Sequence, residues 1–158
     1  MNLTISSDAF VHQGEIPTLY SCEGRDTSPS LAWAGAPEGT KSLALIVDDP
    51  DAPDPAAPQR VWVHWVLYNL PPDGAGLHAE VASNDLPKGT RQGTNDWQRM
   101  GYGGPCPPIG RHRYFHKLYA LDVVLDLPEG ATKGQLEAAM QGHVLAQAEL
   151  IGTYQKKK

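Results

Sequence analysis

Apolar and polar positions alternate in short runs along the chain, and turns dense in glycine and proline separate the runs. Five runs read as strands from their lengths and their β-branched and aromatic content: Leu3 to Ser6, Leu31 to Ala34, Ser42 to Asp48, Val61 to Asn69 and Tyr114 to Asp122. In the fourth, strict alternation puts Val61, Val63, Trp65 and Leu67 on one side and Trp62, His64, Val66 and Tyr68 on the other. Both sides are mostly apolar, as expected for a strand inside a sheet with something packed over each face. His64 is then a polar group on an apolar surface and must find a hydrogen-bond partner.

One segment has helical spacing. Thr132-Lys-Gly-Gln135 resembles a capping box, Leu136, Ala139 and Met140 follow at the period of a helix, and Gly142 is a stop. Beyond it, His143 to Tyr154 alternates as a strand would but is rich in alanine and glutamate, which predicts a final strand or a short helix running into one. The fold class is mainly β. No repeat or linker divides the chain, and 158 residues predict a single domain over 1–158.

Sixteen glycines and fourteen prolines sit at turns rather than in low-complexity tracts, which fits a loop-rich β protein. The formal net charge of −5 argues against a nucleic-acid partner. Lys156, Lys157 and Lys158 form the only charge run and read as a solvated tail. No apolar run approaches a transmembrane segment, and the start of the chain lacks the basic and apolar regions of a signal peptide. Cys22 and Cys106 have neither CxxC spacing nor the density of a disulfide scaffold. They fit a reducing, cytoplasmic setting, with a single bridge between them left open.

Three segments carry the chemistry. Alternation through Leu43, Leu45 and Val47 brings Asp49 out at a strand end, where the chain turns through Pro50 and Pro53 and where Asp51 can cap the turn. Tyr114 shares one side of a long strand with His112 and His116, opposite Arg113, Phe115 and Lys117. Gly103 and Gly104 allow backbone N–H groups to converge on an anion.

The motifs Asp49-Pro-Asp-Ala-Pro53, Trp62-Val-His64, Gly93-Thr-Asn-Asp96, Gly101-Tyr-Gly-Gly-Pro-Cys-Pro-Pro108 and His112-Arg-Tyr114 occur in this order. Together they resemble the phosphatidylethanolamine-binding protein family, in its bacterial branch of Raf-kinase-inhibitor-like proteins. The likeness runs from about residue 3 to Tyr154. It implies two packed, antiparallel-rich sheets with short peripheral helices, and a pocket for phosphate, phosphorylethanolamine and similar anions. By position, the ligand-binding residues would be Asp49, Pro53, Trp62, His64, Gly104, Cys106, His112 and Tyr114. It also implies a possible kinase or protease partner and a possible homodimer. Trp97, Gln98 and His116 depart from the family pattern and bear on the rim.

Such a pocket would offer donors from His64, His112, the Tyr114 hydroxyl and the N–H groups near Gly104, with no lysine or arginine in the set. Asp49 opposes an anion unless it accepts a proton-bearing nitrogen of a pocket histidine or the ammonium of a zwitterion, and the sequence leaves both open. The expectation is a binding module with no cofactor, no metal and no catalytic residue. The alternatives are an enzyme with an Asp49–histidine base pair or a Cys106 nucleophile, and a metal set of Asp49, His64 and His112. Trp97 and the loop Asp54-Pro-Ala-Ala-Pro58 are candidates for an exposed partner surface.

Overall fold

The computed structural model describes residues 2–157. Eight strands and one helix follow in chain order: β1 Thr4–Ser6, β2 Leu31–Ala34, β3 Ser42–Ala52, β4 Arg60–Leu70, β5 Gly76–Leu77, β6 Arg91–Gln92, β7 Arg111–Leu121, α1 Lys133–Met140 and β8 Val144–Gln155. They form a three-stranded sheet β1-β2-β5 and a five-stranded sheet β6-β4-β3-β7-β8, and every pair is antiparallel. The ambiguous C-terminal segment is a strand paired with β7 along its length.

Both faces of β3 are buried. Leu43, Leu45 and Val47 meet Ile5, Leu31 and Trp33 of the small sheet, so one core fills the space between the sheets. Ala44 and Ile46 face the other way, under Leu136 and Met140 of α1 and Leu125 and Ala131 of the preceding loop. The helix begins with the expected capping box: the Thr132 hydroxyl accepts the Gln135 N–H, and Gln135 Oε1 accepts the Thr132 N–H. It is the only α-helix among the described residues.

The structure corrects the alternation in β4. Trp62 is paired with Asp49, Val63 with Asp48 and Trp65 with Val47, so His64 is an extra residue with no partner of its own. A bulge of this kind moves the alternation by one and exchanges faces on either side of it. Val63 therefore joins Val66 and Tyr68 under the helix, whereas Trp65 and Leu67 lie between the sheets. Trp62 and His64 fall on the same side as Trp65, where unbroken alternation had separated them.

Two other expectations change. β3 continues through Pro50 to Ala52, so Asp49 lies within the strand rather than at its end. The lysine run is not simply solvated: the Lys157 ammonium pairs with Glu15, and its N–H donates to Glu23 Oε1 at 2.8 Å. Lys158, the last of the run, lies outside the described residues.

Candidate functional site

Where β3 leaves the large sheet and β4 and β7 enter it, the strand ends and the loop 101–108 enclose a cavity of about 360 Å³. Asp49, Pro53, Trp62, His64, Cys106, His112 and Tyr114 all line it, so three distant stretches of sequence meet at one hollow. Trp97, Pro107 and Pro108 complete an apolar side, and Gln59 and Arg60 stand at the mouth.

Four polar side chains of this wall are almost wholly withdrawn from solvent: Asp49, His64, His112 and Tyr114 are each no more than 3 % exposed. Tyr114 is central to them. Its ring stacks beside His112 with centroids 6.4 Å apart and meets His64 edge-on at 5.1 Å.

Asp49 and His112 form a closed pair. Asp49 Oδ2 lies 2.6 Å from His112 Nδ1, and Asp49 Oδ1 accepts the Asp51 N–H at 2.7 Å. The other imidazole nitrogen, Nε2, lies 2.9 Å from the Ile109 carbonyl and 3.1 Å from that of Pro53. Carbonyl oxygens only accept, so Nε2 carries a hydrogen, and a second proton is shared between Nδ1 and the carboxylate. Burial pushes the Asp49 carboxyl above its ordinary pKa, while the hydrogen bond from His112 pulls it back. The pair is therefore neutral as a unit. Of the two partners expected for Asp49, a pocket histidine is the one present. It also corrects His112 as a donor: both its nitrogens are already engaged.

His64 is held differently. Its Nδ1 donates to the Gly103 carbonyl at 2.7 Å, leaving Nε2 as an acceptor in the neutral ring. Burial lowers its pKa to about 4, against a smaller opposing effect of that hydrogen bond. The Trp97 ring packs edge-on to both His64 and Trp62, with centroids 5.0 and 5.5 Å away. Trp97 is thus half-buried cavity wall, not an exposed partner surface.

Gly104 also departs from expectation. Its N–H donates to Asp26 Oδ1 at 2.7 Å and that of Gly103 donates to the His64 carbonyl at 2.9 Å, so neither is free for an anion. Gly104 does not line the cavity. Its role is close approach, because a Cβ there would stand 2.2 Å from the Tyr20 carbonyl oxygen. Cys106 is joined to Cys22 in a disulfide, which removes both the Cys106 nucleophile and the argument for a reducing setting that rested on two unpaired cysteines. Among the described residues no group of three His, Cys, Asp or Glu side chains could hold a metal ion. An Asp49–His112 base pair fails as well, since Nε2 cannot take a proton while it holds one against two carbonyls.

Two features were not anticipated. Arg60 stands at the mouth with its guanidinium 4.5 Å over the Trp62 ring and 3.4 Å from Asp96. Strand parity could have found it, two positions before Trp62. Arg113 turns away from the cavity as expected and grips Asp51 through two guanidinium bonds of 2.9 Å, which hold the Asp51 carboxyl below its usual range. The second feature is a deficit. Among the described residues four buried side-chain polar atoms lack a partner, and two of them, Trp62 Nε1 and Tyr114 Oη, belong to this wall. Burial also raises the Tyr114 pKa, so its phenol keeps its hydrogen.

Two antiparallel sheets, with a cavity at one end of the larger sheet walled by apolar side chains and a few buried polar ones, define the class of β protein. A family model described as phosphatidylethanolamine-binding protein matches residues 6–155, and the chain belongs to that family. The UPF0098 protein of Methanothermobacter thermautotrophicus is 52 % identical over 155 residues, covering 98 % of this chain and 99 % of its own. The crystal structure of a phosphatidylethanolamine-binding protein homolog from Chlamydia trachomatis superposes with a TM-score of 0.90 at 44 % identity, covering 99 % of each chain. A carboxypeptidase Y inhibitor, solved with its cognate proteinase, shares the fold at a TM-score of 0.59 and 18 % identity, over 98 % of this chain and 83 % of its own.

Proposed function

We propose that the cavity binds the phosphate of a small phosphorylated molecule, or a similar anionic group, and that the protein acts as a binding module. The observation that carries this reading is the pair of buried donors on the cavity wall, Trp62 Nε1 and Tyr114 Oη, that have no acceptor. Each buried, unpaired polar group costs about 1–3 kcal/mol, and an incoming oxygen acceptor removes that cost.

The surrounding charges support an anion over a cation. Asp49 is neutralised by His112, and the guanidinium of Arg60 at the mouth adds attraction without entering the floor. His64 fixes the protonation state. With Nδ1 spent on Gly103, its Nε2 meets a ligand oxygen only if one proton lies between them. That proton comes from a singly protonated phosphate, whose second pKa is about 6, or from solution onto the imidazole. For a monoester, which carries no proton above that pKa, binding takes one up by either route and strengthens as pH falls toward 6. A kinase or protease target forms no part of this reading.

Calorimetric titration of O-phosphorylethanolamine and inorganic phosphate, in buffers of different ionisation enthalpy, tests it. The expected result is saturable binding of both, with close to one proton taken up per O-phosphorylethanolamine above pH 6.5 and less with inorganic phosphate, which still carries a proton of its own there. Heat that never saturates at millimolar ligand would overturn it.

A further inference from the structure

One wall of the cavity is tied to the rest of the molecule by sulfur. Cys106 lines the cavity, and its partner Cys22 lies 84 residues earlier in a turn outside both sheets. Cys22 is exposed and Cys106 half-buried, so the bridge lies at the surface of the molecule rather than in its core. Neither cysteine belongs to either core cluster.

The bridge joins two segments outside the sheets, 18–26 and 101–108, and so do the hydrogen bonds around it. Cys22 N–H donates to the Pro105 carbonyl at 3.0 Å, the Tyr102 hydroxyl to the Tyr20 carbonyl at 2.9 Å, and Gly104 N–H to Asp26. The second segment also sets the ligand-facing side chains. Gly103 holds His64 through its carbonyl, and a Cβ at Gly103 would collide with the Trp97 ring at 2.2 Å. A shift of this loop therefore reaches His64 and Trp97 directly.

We propose that the Cys22–Cys106 bridge is a thiol-sensitive switch on the cavity: a dithiol reductant opens it, loosens loop 101–108 and weakens phosphate binding, and reoxidation restores it. The proposal rests on the phosphate-binding reading above. Exposed disulfides are the labile ones. A thiolate of the reductant attacks the sulfur of Cys22, the more exposed of the two residues, the S–S bond breaks, and Cys106 leaves as a thiolate that takes up a proton. The second thiol of the reductant then attacks the mixed disulfide and releases Cys22, which takes up the other proton. Two electrons and two protons pass to the protein, and the reductant ends as its own disulfide. Opening removes the covalent tie while leaving both cores intact.

The test compares oxidised protein with protein reduced by dithiothreitol, each titrated with inorganic phosphate and with O-phosphorylethanolamine. The expected result is affinity about tenfold lower in the reduced form, the size of one lost polar contact, recovered on reoxidation. Cys22→Ser should bind like the reduced protein and ignore the reductant. Equal affinity in both forms overturns the switch and leaves the binding reading in place. Reduced protein that has lost its strand signal by circular dichroism also overturns it, because the bridge is then a structural staple. If neither form binds, the phosphate reading fails by itself. The switch is then judged on ring resonances of His64 and Trp97: a change on reduction supports it and identical spectra overturn it.

Discussion

His64 meets the ring of Tyr114 edge-on, with centroids 5.1 Å apart and ring planes at 88°. The two residues come from strands that are not neighbours, since β3 lies between β4 and β7. They meet because the extra residue in β4 turns His64 to the side of the sheet that Tyr114 occupies. The bulge thus does for the cavity what unbroken alternation would have prevented, and brings an imidazole to a phenol with no partner for its hydroxyl.

Tyr114→Phe separates ligand binding from folding. The hydroxyl has no partner in the folded chain, so its removal should leave stability unchanged or raise it by up to about 1 kcal/mol. Phosphate affinity should fall about tenfold. Thermal melts with and without phosphate check both halves, since the stabilisation that ligand gives the parent should shrink in the variant.

His112→Leu has the opposite profile. It strands a buried carboxylate, Asp49, without its partner, and breaking a buried pair in this way costs about 3–5 kcal/mol. Burial already raises the Asp49 pKa, so the unpaired acid takes up a proton as pH falls. Urea unfolding at pH 7 and pH 5 should show a smaller loss at pH 5.

Acid should destabilise the ligand-free protein before its carboxylates are titrated. His64 and His116 are both buried, and burial lowers each from 6.5 to about 4. His116 packs against Phe10, its Nδ1 turned to the carbonyls of Tyr114 and Leu150. Between pH 6.5 and 4 the unfolded chain binds these two protons and the folded one does not, so stability falls with pH. The slope reaches at most about 1.4 kcal/mol per pH unit for each histidine. Asp49 works the other way, because its raised pKa favours the folded state as pH falls. Asp51, held low by Arg113, adds its own loss only below 3.8. Denaturant midpoints across pH 4 to 7 give the slope, and a flat profile would contradict neutral buried imidazoles.

Much of this was legible in the sequence. The β class, the capping box at Thr132 and the meeting of Asp49, His64, His112 and Tyr114 followed from alternation, from helix-start chemistry and from the ordered motifs. What escaped has physical causes. Alternation assumes one residue opposite one, so the bulge at His64 and the continuation of β3 past Pro50 were invisible. Glycine-rich loops suggest free N–H groups, but whether those groups are spent depends on segments far away, as Asp26 shows for Gly104. The spacing of Cys22 and Cys106 carries no local signal, because a bridge across 84 residues is decided by the fold alone.

Arg60 should govern approach more than holding. Its side chain is 54 % exposed and is shared between the Trp62 face and Asp96. Arg60→Gln should weaken phosphate binding roughly two- to fivefold at low salt, with the difference fading as ionic strength rises. Titrations at 20 mM and 500 mM salt, which span about 20 Å to 4 Å of screening length, measure it.

The most direct measurement follows the indole N–H of Trp62 by nuclear magnetic resonance as O-phosphorylethanolamine is added near pH 6. A hydrogen bond from Trp62 Nε1 to phosphate oxygen should move that signal downfield in a saturable way, with His64 ring signals moving in parallel. A Trp62 signal that stays in place at millimolar ligand while the fold is intact would contradict phosphate binding in this cavity.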